Sequence, residues 1–100
     1  MTPEGIVKRD VKKVLEAAGV WYFMPVSNGM GRHGIPDFIC CVGGQFLAIE
    51  TKAGKGQTTA LQARELETIR AKGGVALVIR EDGIDTLRAR INEIKENTHG

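Results

Sequence analysis

Asp37, Glu50 and Lys52 are the residues of this chain whose types and spacing can do chemistry. They stand at the ends of two apolar runs, Asp37–Val42 and Gln45–Lys52, joined by a bare Gly43-Gly44. Gly-Gly between β-type runs predicts a two-residue hairpin, because the turns that match strand twist need positive φ. If Val42 faces Gln45 across that turn, Asp37 faces Glu50. Opposed residues hold their Cβ atoms roughly 4.5–5.5 Å apart, and like charges there destabilise the pair. Period-two alternation places Lys52 on the face of Glu50, with Ala48 and Phe46. Two carboxylates and an ammonium thus meet at the open end of the hairpin. A divalent cation would relieve the repulsion, since hard cations take oxygen ligands at such spacing.

The elements that must position these groups are legible on either side. Thr2 to Ala18 reads as a first helix, with Thr2 as N-cap, Pro3 at the first helical position and Gly19 beyond the end. Val7, Val11, Val14, Leu15 and Ala18 form one stripe at helical spacing. Glu4 lies near the centre of that stripe, whereas Glu16 falls among Arg9, Lys12 and Lys13 and reads as a solvated charge. Val20–Val26 is a β-rich run whose Pro25 marks an edge or a bulge. A glycine-rich loop from Ser27 to Gly34 follows. Its Gly29-x-Gly31-x-x-Gly34 matches a dinucleotide fingerprint in letters only, because that motif must open a helix and here Pro36 and a strand come next. Arg32 and His33 are placed at the rim of the site, available to phosphate.

Gly54-Lys55 is not a phosphate loop: the first required glycine is Ile49, and Gly56 stands where Ser or Thr is needed. Lys55 is left on a loop within reach of a phosphate backbone. A second helix runs from Ala60 to Lys72, opened by the capping box Thr59-x-x-Gln62 and stopped by Gly73-Gly74. Gln62 shares the stripe of Leu66 and Ile69 and therefore points inward as well. Val75–Arg80 is a continuous apolar run of the kind found in a buried central strand. A last helix follows Asp82-Gly83 and ends near Glu96, with Ile84, Leu87, Ile91 and Ile94 covering the sheet. The order αβββαβα predicts an α/β domain with a mixed sheet flanked by helices, over residues 1–100.

Pro36-Asp37 and, after a hairpin, Glu50-Thr51-Lys52 resemble the Pro-Asp…(Asp/Glu)-x-Lys signature of the restriction-endonuclease-like nucleases. Gly34-Ile35-Pro36-Asp37, the glycine turn, Ile49-Glu50-Thr51-Lys52 and Gln62 are similar, more narrowly, to the virus-type replication-repair nuclease (VRR-NUC) domain. The likeness runs from Glu4 to about Arg80. It departs at Thr51, where the family more often has an aliphatic residue. The resemblance implies a restriction-endonuclease-like core and a Mg²⁺- or Mn²⁺-dependent endonuclease of DNA. By the same resemblance Asp37, Glu50, the Thr51 carbonyl and Glu4 hold the metal, Lys52 holds the attacking water, and Gln62 orients water or Lys52. Branched DNA such as a four-way (Holliday) junction is the implied substrate, with flaps or forks as the alternative.

Composition adds bounds rather than identity. A net charge of +2 does not by itself announce a nucleic-acid binder. Adjacent Cys40 and Cys41 form neither a disulfide framework nor zinc-ligand spacing. No apolar run has the length of a membrane span, and the amino terminus lacks the apolar core of a signal peptide, so a cytoplasmic protein without membrane contact is expected. Consecutive Trp21, Tyr22, Phe23 and Met24 must send some side chains to each face of a strand, and Ile6 lies opposite the core stripe of its helix. Apolar groups of this kind anchor interfaces, and a two-fold homodimer is the expectation. The competing reading is a module that binds structured nucleic acid without cutting, through Lys8, Arg9, Lys12, Lys13, Arg32, Lys55, Arg64 and Arg70.

Overall fold

The Gly43-Gly44 turn forms as expected, with φ of 56° and 85°, conformations that a side chain would strain. The computed structural model describes residues 1–26 and 31–98. Around the turn, β2 (Phe38–Val42) and β3 (Gln45–Thr51) pair antiparallel with Val42 opposite Gln45 and Phe38 opposite Ile49. β1 (Trp21–Phe23) adds antiparallel to β2, and β4 (Val75–Ile79) adds parallel to β3. The result is a four-stranded mixed sheet in the order β1-β2-β3-β4.

The helices close it from both sides. α1 (Pro3–Ala17) is capped by Thr2, whose hydroxyl accepts from the Gly5 amide at 3.0 Å. It packs with α3 (Ile84–Thr98) on one face of the sheet. Val7, Val11, Leu15, Leu87 and Ile91 there meet Phe38, Leu47 and Ile49, all at most 1% exposed. Each such side chain contributes about 1.5–3 kcal/mol by leaving water. α2 (Ala60–Ala71) covers the opposite face, where Leu66 packs on Ala48 and Ala76. Its capping box forms as the sequence predicts: the Gln62 amide donates to Thr59 Oγ1 at 3.1 Å, and the Thr59 amide donates to Gln62 Oε1 at 2.9 Å.

Three expectations need correction. β4 is an edge strand of the sheet, not a central one. Its apolar run is explained by helices on both faces rather than by strands on both sides, and Arg70 donates to the Ala76 carbonyl at 2.8 and 3.2 Å across it. A guanidinium laid over a strand edge also hinders pairing with a second chain. β1 is shorter than Val20–Val26, stopping two residues before Pro25, which cannot donate to a ladder. α3 continues past Glu96 to Thr98, after a short 3₁₀ turn at Glu81–Gly83. Of the loop expected from Ser27 to Gly34, residues 27–30 lie outside the described residues, as do residues 99–100.

Candidate active site

The carboxylates meet at the open end of the hairpin, though not as a simple opposed pair. Asp37 stands one position beyond the last ladder pair, Phe38–Ile49. Its Oδ2 accepts two hydrogen bonds from Thr51, from the amide at 2.9 Å and from the hydroxyl at 2.6 Å. Thr51 is fully buried. The threonine that departs from the family pattern is therefore the residue that fixes Asp37. Sequence reasoning gave Thr51 a carbonyl role only; the signal it passed over was a hydroxyl at an inward position between Glu50 and Lys52.

Glu50 is 2% exposed, and its Oε2 lies 3.2 Å from Lys52 Nζ. Among the described residues its Oε1 is the one buried side-chain oxygen or nitrogen with no partner. Burial pushes the Glu50 carboxyl above its ordinary value, and the Asp37 charge adds to this, while Lys52 and the Asp37 backbone pull the other way. A buried carboxylate with one oxygen unsatisfied costs free energy until a cation or proton arrives. That is the donor chemistry a hard divalent ion takes. Among the described residues no group of three or more acidic, histidine or cysteine side chains is arranged to hold a metal ion, so the site offers two carboxylates and no more. An open site with few protein oxygens suits Mg²⁺, which keeps several waters. The carboxylates of Asp37 and Glu50 thus fit such an ion.

Glu4 reaches the site through a cation. Lys8, one turn further along α1, lies 3.7 Å from Glu4 Oε2 and 3.8 Å from Asp37 Oδ1. Glu16 is not purely solvated: its Oε2 accepts from the Tyr22 hydroxyl at 2.7 Å, which raises the Tyr22 pKa to about 12. Gln62 lines a cleft of about 360 Å³ together with Asp37, Pro36, His33, Arg32 and Val26. The capping box occupies its Oε1, so the structural reading of Gln62 holds in a side chain that also lines the cleft. Gly34, at φ 79°, brings this wall close to α2; a Cβ there would stand 2.7 Å from the Leu61 backbone. Arg32 is exposed and paired with Glu65 at 2.9 Å. Lys55 is exposed on the loop after β3.

That loop is held by residues no sequence pattern singled out. The Lys52 amide donates to the Ile79 carbonyl at 3.1 Å, continuing the β3–β4 pairing. Beyond it, the Gly54 amide donates to Glu81 Oε2 at 2.7 Å, and Arg80 donates to the Gly54 carbonyl at 3.2 Å. Amides of Glu81 itself and of Gly54 hold the Glu81 carboxyl below its usual range. Arg80 and Glu81 therefore fix the backbone on which Lys52 and Lys55 stand.

A mixed sheet in this helix and strand order, with Pro-Asp and Glu-x-Lys at the open end of its hairpin, defines a restriction-endonuclease-like domain. Two solved structures share the fold, both titled as VRR_NUC domain proteins. One has a TM-score of 0.71 at 24% identity, covering 96% of this chain and 97% of its own. The other has a TM-score of 0.65 at 20% identity, covering 93% and 88%. Among curated proteins none matches the sequence. The model of the archaeal Holliday junction resolvase (Hjc) family matches residues 5–100, and the chain belongs to that family. The matched span begins just after Glu4, whose one contact toward the site is with Lys8.

Proposed function

We propose that this chain is a Mg²⁺- or Mn²⁺-dependent endonuclease that hydrolyses phosphodiester bonds in branched DNA, with four-way junctions as the principal substrate. The observation that carries the reading is Glu50: buried, with one oxygen on Lys52 and the other unpartnered, beside an Asp37 fixed by Thr51. Membership of a resolvase family directs it to junction DNA. Asp37, Glu50 and the Thr51 carbonyl would hold the ion, with Glu4 acting directly or through water. When bound, the ion supplies neutralising charge at the phosphate and a lowered pKa for water. Lys52 holds the attacking water and stabilises charge on the phosphoryl oxygens, a fixed electrostatic contribution. Gln62 orients that water or Lys52. Arg32, His33 and Lys55 contact phosphates around the cleft, fixing position without reading sequence.

Two sites are needed to cut two symmetric strands, and the reading includes a homodimer. Trp21, Phe23 and Phe46 are 61, 48 and 42% exposed, and Trp21, Cys41 and Phe46 line up across β1, β2 and β3. α2 packs on β4, and among the described residues this half of the sheet face is left uncovered. A groove of about 380 Å³ between Phe46, Ile69 and Arg32 extends it. Sedimentation equilibrium at micromolar concentration is expected to give twice 10.9 kDa, and a monomer with and without DNA would end the dimer proposal. Substrate choice is tested with matched linear, flap, splayed and four-way DNA in Mg²⁺. Cleavage of the four-way substrate is expected to dominate; linear duplex cut as efficiently would refute the structure-selective reading, and binding without cutting would favour the non-cleaving module.

A further inference from the structure

The oxygens of the acidic site are unequally engaged. Asp37 Oδ2 is committed to Thr51, while Oδ1 faces Lys8 at 3.8 Å. Glu50 Oε2 has Lys52, and Oε1 has no partner among the described residues. A divalent ion held by Asp37 and Glu50 would need Asp37 Oδ1, and Lys8 is the cation at that oxygen. The Lys8 contacts, 3.7 and 3.8 Å, are charge–charge approaches longer than a hydrogen bond. Its side chain is 35% exposed, so the ammonium can leave without unfolding anything. Helical geometry fixes it there: Glu4 and Lys8 are one turn apart, on the side of α1 that meets the sheet.

Resting on the metal-dependent reading above, we propose that Lys8 is a tethered, exchangeable counter-ion. In the metal-free protein it neutralises Asp37 and Glu4 and keeps the carboxylates assembled; a divalent ion must displace it from Asp37. Lys8 therefore opposes metal binding and sets the ion concentration at which the site loads. Lys52 plays the other part: it pairs with Glu50 on the far side and leaves Oε1 free.

The test compares wild type, Lys8→Gln and Lys8→Arg in direct Mn²⁺ binding by calorimetry, without DNA, alongside melting temperatures of the metal-free forms. Gln is a good helix former, so α1 should tolerate it. Removing one nearby positive charge, partly screened by solvent, should tighten Mn²⁺ binding by about three- to tenfold in Lys8→Gln. Lys8→Arg, which keeps the charge, should bind Mn²⁺ as wild type does. The metal-free form of Lys8→Gln should melt slightly lower and gain more from saturating Mn²⁺ than wild type gains. Equal or weaker Mn²⁺ binding by Lys8→Gln, with wild type binding normally, overturns the role of Lys8 alone. Absence of Mn²⁺ binding by wild type overturns the metal site and the Lys8 proposal together.

Discussion

Asp37 is the acceptor of the Thr51 clamp and the proposed metal ligand, and two substitutions separate these parts. In Asp37→Ala the Thr51 amide and hydroxyl, now bonded to Asp37 at 2.9 and 2.6 Å, lose their acceptor inside a fully buried site. Hydrogen bonds to a charged acceptor contribute about 1.5–3 kcal/mol, and an orphaned buried donor costs about 1–3 kcal/mol. The hydroxyl can rotate to another acceptor, whereas the amide cannot. Loss of the repulsion on Glu50 offsets part of the cost. A net destabilisation of about 2 kcal/mol is expected, which for a domain this size lowers the melting temperature by roughly 8–16 °C. Asp37→Asn keeps an acceptor oxygen for the Thr51 amide and removes the charge. It should cost under about 1 kcal/mol and still abolish metal binding. Thermal denaturation in EDTA, followed by circular dichroism, separates the two. An unchanged melting temperature for Asp37→Ala, or equal losses for both variants, would refute the assignment of Asp37 to the Thr51 clamp.

Further outcomes follow from the same geometry. Lys52→Ala should lower Mg²⁺-dependent cleavage by about 10²-fold or more, read in single-turnover assays; full cleavage would remove Lys52 from the reaction. The raised Glu50 carboxyl means the folded, metal-free protein holds a proton that the unfolded chain releases at the ordinary value near 4.5. Its stabilising effect is thus complete below that value and is lost as pH rises through the folded pKa. Mn²⁺ bound at Glu50 would keep the carboxylate ionised, so the Mn²⁺-induced rise in melting temperature should be larger at pH 8 than at pH 5, and an equal rise at both would contradict the Glu50 assignment. Arg32→Ala and Lys55→Ala should weaken DNA binding uniformly across sequences, each flattening the slope of log K against log salt by about 0.9. Unchanged slopes in mobility-shift titrations would place neither on a phosphate.

The hairpin was legible because Gly43-Gly44 specifies a turn, the turn sets the register, and the register brings Asp37 near Glu50. The helix stripes were legible for a similarly local reason: Val7, Val11, Val14 and Leu15 are buried where helical spacing put them. The place of β4 was not, because an apolar run reports burial on two faces and says nothing about neighbours in the sheet. In this fold α2 and α3 supply that burial at an edge. Nor was the reach of Lys8 to Asp37, which depends on how α1 sits over the sheet. The clamp of Arg80 and Glu81 on Gly54 joins residues far apart in sequence by side-chain-to-backbone bonds, which leave no periodic trace. Thr51 is legible in its place between Glu50 and Lys52 but not in the use of its hydroxyl, which depends on Asp37 turning out of the ladder.

The proposed activity requires Asp37 and Glu50 to join a divalent ion to the cleavage of junction DNA. Single-turnover cleavage of a four-way junction, measured for wild type and Asp37→Asn across a Mg²⁺ titration with an EDTA control, tests that most directly. Wild type should cleave only with the metal, saturating as Mg²⁺ rises, while Asp37→Asn still binds the junction and remains uncleaving at every concentration. Cleavage in EDTA, or wild-type rates from Asp37→Asn at high Mg²⁺, would contradict it.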